Sequence, residues 1–460
     1  MNYAELLNAQ RSFFSTKATL PYAFRLAQLK KLRNLVAEHE QEILEALHKD
    51  LHKSAFEGWG AEVGIILTEA DYFIRHLKKW MRSKPLRTPI FHFRAQSYIQ
   101  SIPHGNTLII APWNYPFLLS LRPLLGAIAA GNTAIIKPSE HAAHTAGVIE
   151  KMINQHFDPA YLHVVNTDAL GSSKLLEQEY SFIFYTGGST VGRIVYQAAA
   201  RNLTPVVLEM GGKNPCIIEP SADLEVTATR ITWGKFSNAG QTCVAPDYLL
   251  VHASMRDALI EKIISKIESF FQNDLIASQD YGRIINDQHV ARIQRLLQEQ
   301  KVIYGGTIKP ELRFIAPTLV EVTDMQSPIM QEEIFGPVLP IISYTHPDEV
   351  WRILEMNPDP LVLYLFTTDQ HSVYQFAQEA SSGDMVVNEV VLHFGHLHMP
   401  IGGKGASGIG KYQGKYSYDV FSHPKSVMHR KFYPDLSIRY PPYDRSRVNT
   451  LKKLFRHFFD

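Results

Sequence analysis

Two residues in 460 are cysteine, Cys216 and Cys243. So few thiols exclude a disulfide framework and point to a reducing compartment. Excess charge of one sign is equally missing. The 46 Lys and Arg against 45 Asp and Glu leave a formal net charge of +1, with no basic stripe or acidic tail, so nucleic acid is not expected as a partner. The first residues, MNYAELLNAQRSFF, hold no apolar run behind a basic head, and no signal peptide is read there. Long apolar runs are scarce too. The most apolar window, FLLSLRPLLGAIAAGNTAII, is broken by Arg122, Pro123 and Asn132, which argues against a membrane span. The expected location is the cytoplasm.

What remains is an ordinary globular composition, 45% hydrophobic and 20% charged. The length suggests roughly two to three domains. Residues 1–80 read mostly as helices; LAQLKKLRNLVAEHEQEILEALHKDL places apolar residues at three-to-four spacing. The stretch TPIFHFRAQSYIQSI (88–102) alternates like a strand pair. A hairpin alone is marginal, so this one is expected to pack on something else, such as another subunit. From residue 106 the runs TLIIAP, TAIIKP, LHVVN, SFIFYT and PVVLEM alternate with helical stretches near 117–130, 140–156, 169–178 and 189–201. That rhythm predicts a parallel sheet with helices on both faces. A second α/β series runs from about 211 to 395, beginning with NPCIIE and the helical DLEVTATRITWGKFSNAG. Past residue 430 the run RKFYPDLSIRYPPYDRSR reads as an extended arm, and LKKLFRHFF (451–459) mixes basic and aromatic residues at helical spacing. The tail is read as a packed surface helix, with contact to a membrane surface as the weaker alternative.

Ligands bind such sheets at the carboxyl ends of strands. There the sequence places Trp113, Asn114 and Tyr115, then Lys137, Ser139 and Glu140, then Gly187 and Gly188, then Glu209 before Gly211 and Gly212. Turns and helix caps use such residues routinely, but four such loops in succession form a stronger pattern. Gly187, Gly188 and Gly192 give G-G-x-x-x-G, neither the dinucleotide fingerprint nor a Walker loop, so they indicate only close backbone approach at a helix start. Cys216 sits in an apolar strand and reads as a core residue. Cys243 lies in SNAGQTCVAP, among small and polar residues that would let a substrate approach and supply hydrogen bonds. By itself it fits a catalytic thiol or a plain loop cysteine. The 20 histidines are too many to select a base from. Glu209, at a partly desolvated strand end, suits a general base acting on water. His393, His396 and His398, and the pair His141 and His144, lack a zinc-hydrolase spacing. They read as surface loop histidines, so no metal is expected, and the HFGHLH run is placed at a substrate entrance.

These motifs resemble the NAD(P)-dependent aldehyde dehydrogenase superfamily. LEMGGKNP (208–215) and FSNAGQTCVAP (236–246) carry the likeness, with 243 − 209 = 34 residues between the glutamate and the cysteine. APWNYP, IIKPSE, YTGGSTVGR, EEIFGPVLP and PIGGKGASGIGKYQGKYSYDVFSH match further blocks in order, from about residue 10 to 430. The glycine motif and the GKYSYDVFSH ending look most like the third class, which implies a homodimer, NAD or NADP, and medium- or long-chain aliphatic or aromatic aldehydes. The resemblance implies two doubly wound domains, one at 1–82 and 104–210 for the dinucleotide and one at 211–395 for catalysis. Segments 83–103 and 396–435 would bridge subunits, with an arm at 436–460. It makes Cys243 the nucleophile, Asn114 the oxyanion donor and Glu209 the base for hydrolytic water. Trp113, Gly187 and Gly188 would border the cofactor, Lys137 and Glu140 would hold the adenosine ribose, Glu333 the nicotinamide ribose, and Phe335 would pack beside the nicotinamide. Glu140 should disfavour a 2′-phosphate, so NAD is expected, with NADP accepted. Two alternatives stand beside this reading: a coenzyme-A-acylating or phosphorylating relative, and a non-catalytic binding or scaffold protein on the same fold.

Overall fold

The computed structural model describes residues 2–89, 92, 94–271, 274–435, 439–443 and 445–456. One sheet has six strands, in the order Gly408–Ile409, Val206–Met210, Phe182–Gly187, Asn106–Ile110, Thr133–Lys137 and Leu162–Val164. All pairs are parallel except that of Gly408–Ile409 with Val206–Met210. The chain leaves Asn106–Ile110 toward one edge and returns to its other side at Phe182–Gly187. A crevice therefore opens at the carboxyl ends of these two strands, where the strand order reverses. The helix Pro116–Ala130 is buried at every residue, so the most apolar window of the chain is a core helix. Among the described residues no helix is long and apolar enough to cross a membrane.

The second sheet has seven strands, ordered Lys301–Tyr304, Thr318–Glu321, Val338–Tyr344, Tyr248–His252, Pro215–Ile218, Val362–Phe366 and Asp384–Val387. Only Lys301–Tyr304 runs antiparallel to its neighbour. Its central strands are uninterrupted apolar runs because helices cover both faces. Cys216 lies in one of them, fully buried. The fold is α/β, as its sequence rhythm predicts. A third, antiparallel sheet joins Lys84–Leu86, Ala95–Pro103 and Ser422–Arg430.

Several local expectations shift. The strand pair expected within 88–102 instead has its first strand at Lys84–Leu86. Pro89 lacks an N–H for a ladder, and Thr88 Oγ1 accepts from the Ser97 N–H at 3.1 Å where the strand ends. Residues 90, 91 and 93 lie outside the described residues. The main partner of Ala95–Pro103 is Ser422–Arg430, paired over nine residues from a distant part of the chain. The helix expected to run through FSNAG stops at Phe236. The arm past residue 430 ends in a helix, Arg445–Arg456, whose described side chains are mostly exposed rather than packed. Residues 457–459 of the tail motif lie outside the described residues.

Candidate active site

The helix Leu224–Phe236, capped by Asp223, delivers the chain to the cysteine loop. Asn238, Ala239 and Gly240 then take positive φ values of 49°, 50° and 74° and reverse the chain. A Cβ on Gly240 would come within 2.3 Å of the Gly336 carbonyl, so only glycine lets this turn lie so close. Side chains clamp the loop from both sides. Gln241 Nε2 donates to the Asn238 and Arg283 carbonyls, and Gln241 Oε1 accepts from the Ile285 N–H. Asn214 Nδ2 donates to the carbonyls of Cys243 and Ala245, and the Tyr364 hydroxyl donates to that of Val244. The backbone N–H groups of Cys243 and Val244 remain facing the sulfur.

Cys243 is half-buried at the junction of two cavities. One, of about 450 Å³, opens along the crevice of the six-stranded sheet and is lined by Trp113, Asn114, Gly187, Gly188, Glu209, Glu333 and Phe335. The other, of about 610 Å³, is mainly apolar, with Ile65, Leu118, Trp233, Phe270 and Leu392 on its walls. Leu119, Cys243 and Phe394 border both. Lys137 and Glu140 line neither cavity; they lie one strand further on, paired to each other, with Ile110 in register with Lys137.

Electrostatics separate the roles. Asn114 is 2% exposed, and its side-chain amide donates to the Gln241 carbonyl at 3.1 Å, two residues from the cysteine. Glu209 is 6% exposed, and its Oε1 accepts no hydrogen bond from any described residue. Burial first, then the Asp384 carboxylate, hold Glu209 well above the usual carboxylate range, against the pull of Lys411. Glu333 is pushed up to about 8 by burial and by Asp247, while the Gly212 N–H, Arg292 and Lys213 oppose the shift. Cys243 is pushed up to about 12 by burial, Glu333 and Glu209, partly offset by its own and the Val244 N–H. The positive potential expected around a catalytic thiol is not supplied by these protein charges.

A profile of the Aldehyde dehydrogenase family matches residues 2–427. The chain is 43% identical to 4,4′-diaponeurosporen-aldehyde dehydrogenase of Staphylococcus aureus (strain NCTC 8325 / PS 47) over 449 residues, covering 97% of this chain and 98% of that protein. It is 42% identical to aldehyde dehydrogenase family 3 member A2 of Mus musculus over 444 residues, covering 96% and 92%. A solved substrate-bound state of Staphylococcus aureus AldH superposes with a TM-score of 0.97 at 42% identity, covering 99% of this chain and 100% of that one. The chain belongs to the aldehyde dehydrogenase family. This aldehyde dehydrogenase oxidises an aldehyde to the carboxylic acid with NAD(P)⁺, and its close relatives are of the third class. Neither the coenzyme-A-acylating nor the scaffold alternative is favoured.

The residues present fit such a cofactor. A Cβ on Gly188, at the start of the helix Ser189–Arg201, would meet nothing within 4 Å, so the cavity runs open over the helix N-terminus. A Cβ on Gly211 would fall 2.1 Å from the Glu333 carboxyl, so that glycine leaves the acid its place at the cavity wall. Burial works to raise Glu140, but the Lys137 ammonium outweighs it and holds the carboxylate below its usual range.

Sequence reasoning missed the supports of this aldehyde dehydrogenase site. Lys53 and Glu62 form a fully buried ion pair at 2.5 Å. Glu62 Oε2 accepts the N–H groups of Phe117 and Leu118 at the start of the core helix, and Lys53 Nζ donates to the Asn114 carbonyl at 2.9 Å. Lys53 Nζ also lies 3.9 Å from the Tyr115 ring centroid, and the Tyr115 hydroxyl meets Thr242 Oγ1 at 2.8 Å. A second buried pair, Arg122 with Glu69, holds Phe394 through its carbonyl. A lysine and a glutamate nine apart in a helical region look like surface charges, so no local signal marks the pair.

The histidine reading needs correcting. His396 and His398 are exposed, but His393 is buried, with both ring nitrogens unpartnered among the described residues. It sits in a short helical turn, Leu392–Gly395, and burial lowers it to about 4. Its neighbours Val391, Leu392, Phe394 and Gly395 do line the apolar cavity.

Proposed function

We propose that Cys243 is the nucleophile, Asn114 the side-chain oxyanion donor and Glu209 the general base of this aldehyde dehydrogenase. The reading rests on one observation: the half-buried sulfur is where an apolar cavity and a glycine-lined crevice meet, with Asn114 and Glu209 on the crevice side. An aldehyde enters through the apolar cavity, and Cys243 Sγ bonds to its carbonyl carbon as the thiol proton passes to solvent water. The new oxyanion lies by the Asn114 amide and the Cys243 N–H, fixed donors of the kind that stabilise tetrahedral charge. A nicotinamide dinucleotide held along the crevice by Trp113, Gly187, Gly188, Glu333 and Phe335 would supply the acceptor for the hydride that leaves that carbon. Glu209 then takes a proton from the water that cleaves the resulting thioester, releasing the carboxylate and the free thiol.

Lys137 and Glu140 hold the adenosine ribose in this reading, and Glu333 the nicotinamide ribose. Trp113 and Phe335, 5.3 Å apart and edge-on, flank the nicotinamide end. The size and apolar walls of the substrate cavity support medium- or long-chain aliphatic or aromatic aldehydes. The name of one relative, 4,4′-diaponeurosporen-aldehyde dehydrogenase, agrees with an aldehyde substrate. We also infer a homodimer in a reducing compartment. Among the described residues the strand Ser422–Arg430 has one edge without a strand partner, with Met428 53% exposed, a surface that a second copy could cover.

The test is pre-steady-state kinetics with a long-chain aldehyde, without coenzyme A or phosphate. Cys243→Ser should abolish turnover. Glu209→Gln should give a burst of reduced cofactor near one per site and then little steady rate. Full steady turnover in the Gln variant, or acid formation that requires coenzyme A, would refute the reading.

A further inference from the structure

The apolar cavity that Cys243 borders carries two acids. Glu57 and Asp280 line it, and among the described residues no lysine, arginine or histidine does. A substrate bonded to the sulfur therefore lies in one continuous space with both carboxyls. Asp280 is exposed, which puts it toward the open side, and Glu57 is half-buried. Glu57 belongs to the short helix Ala55–Gly58, where its N–H donates to Ser54 Oγ at 3.2 Å. Its neighbour Gly58 lies close under the helix Glu40–Leu51; a Cβ there would come 3.1 Å from Leu44 Cδ2. The turn is thus seated firmly, with Glu57 on the cavity wall.

This carboxyl is left wanting a partner. Glu57 Oε1 is buried and accepts no hydrogen bond from any described residue. The Lys53 ammonium is already committed, to Glu62 at 2.5 Å and to the Asn114 carbonyl at 2.9 Å. Burial pushes the Glu57 carboxyl up; Lys53 and the Asn238 N–H offset only part of that, and Glu62 and Asp280 add to it. An acid in this state favours a ligand that brings positive charge with it. The rings of Phe56, Trp233 and Phe270 line the same cavity, and aromatic faces attract a cation as well.

Building on the assignment of Cys243 as nucleophile and of this cavity as the substrate's, we propose that Glu57 is a specificity-determining residue that receives a cationic nitrogen carried on the tail of the aldehyde. The further substrate class is aldehydes ending in an ammonium or a quaternary ammonium group. The same charge turns away aldehydes ending in a carboxylate, with Asp280 repelling them at the entrance. The nitrogen keeps all its bonds and takes no part in the oxidation.

The experiment measures kcat/KM with saturating NAD⁺ for aldehydes ending in trimethylammonio, tert-butyl or carboxylate groups, each over a series of chain lengths. The first two ends share a shape and differ in charge, and a quaternary nitrogen cannot condense with its own aldehyde. At the length that spans from Cys243 to Glu57, the wild type should prefer trimethylammonio to tert-butyl by about tenfold, and to carboxylate by more. E57Q should lower the trimethylammonio to tert-butyl ratio by about tenfold, and D280N by less because Asp280 is exposed. E57D should restore part of the ratio. If E57Q does not fold, E57N and the wild-type ratio decide. An unchanged ratio in E57Q or E57N, or a wild-type ratio below one at every length, overturns the role of Glu57. Failure of the wild type to oxidise any of these aldehydes, or oxidation of the tert-butyl compound that survives C243S, instead overturns the reading beneath it.

Discussion

Asn114 commits one amide hydrogen to the Gln241 carbonyl and lines the cavity that Cys243 borders, which leaves its second amide hydrogen for an oxyanion. Asn114→Ala should therefore lower kcat by about 10²–10³, or about 3–4 kcal/mol of barrier, with a smaller change in KM; steady-state kinetics checks it. Glu333 leads to a prediction about stability. Its folded value of about 8 lies above the roughly 4.3 of an unfolded glutamate, so the folded state binds the extra proton. That contribution is complete below about pH 4.3 and is lost as pH rises through about 8. Glu333→Gln should flatten the fall in melting temperature between pH 5 and 9, read by thermal unfolding without cofactor. At this scale the sequence was most legible where chemistry demands a residue type in a loop. Cys243, Glu209 and Asn114 stood out because a thiol, a carboxyl and an amide sat at strand ends among small residues. That Glu333 and Glu209 both push the thiol upward was not legible, since it follows from which distant carboxyls the fold brings to the sulfur.

The helix Pro116–Ala130 shows how an element places a site. Its N-terminal N–H groups are capped by a glutamate from another helical segment, and the lysine that neutralises that glutamate also grips the carbonyl of Asn114. Breaking one partner leaves a buried charge, so Lys53→Met should cost about 3–5 kcal/mol in denaturant unfolding. Lys53→Met with Glu62→Gln should recover part of that loss while kcat stays low, because the Asn114 carbonyl loses its ammonium donor and is left to the Asn238 amide. Strands and helices of the parallel sheets could be read from apolar runs of the right length. The small antiparallel sheet was half hidden. Its long partner strand, Ser422–Arg430, arrives from over 300 residues away, and Pro89 displaced the short one.

For the molecule as a whole, the exposed edge of Ser422–Arg430 bears on assembly. Met428→Pro would remove an N–H from that edge and should shift the protein from dimer toward monomer by sedimentation velocity, with aldehyde oxidation per folded chain reported beside it. A mass at the monomer for the wild type would remove the proposed dimer.

The meeting of two cavities at one sulfur has a consequence for bulky substrates. In the proposed reading the aldehyde's far end would extend past Phe56, which is 89% exposed, and Leu392, away from the side where the nucleotide would lie. Whatever is attached to that end never has to pass the redox partner. An aldehyde fixed to a bead by a long alkyl tether should still be oxidised, with the anchored acid left on the resin and the coenzyme exchanging freely behind it.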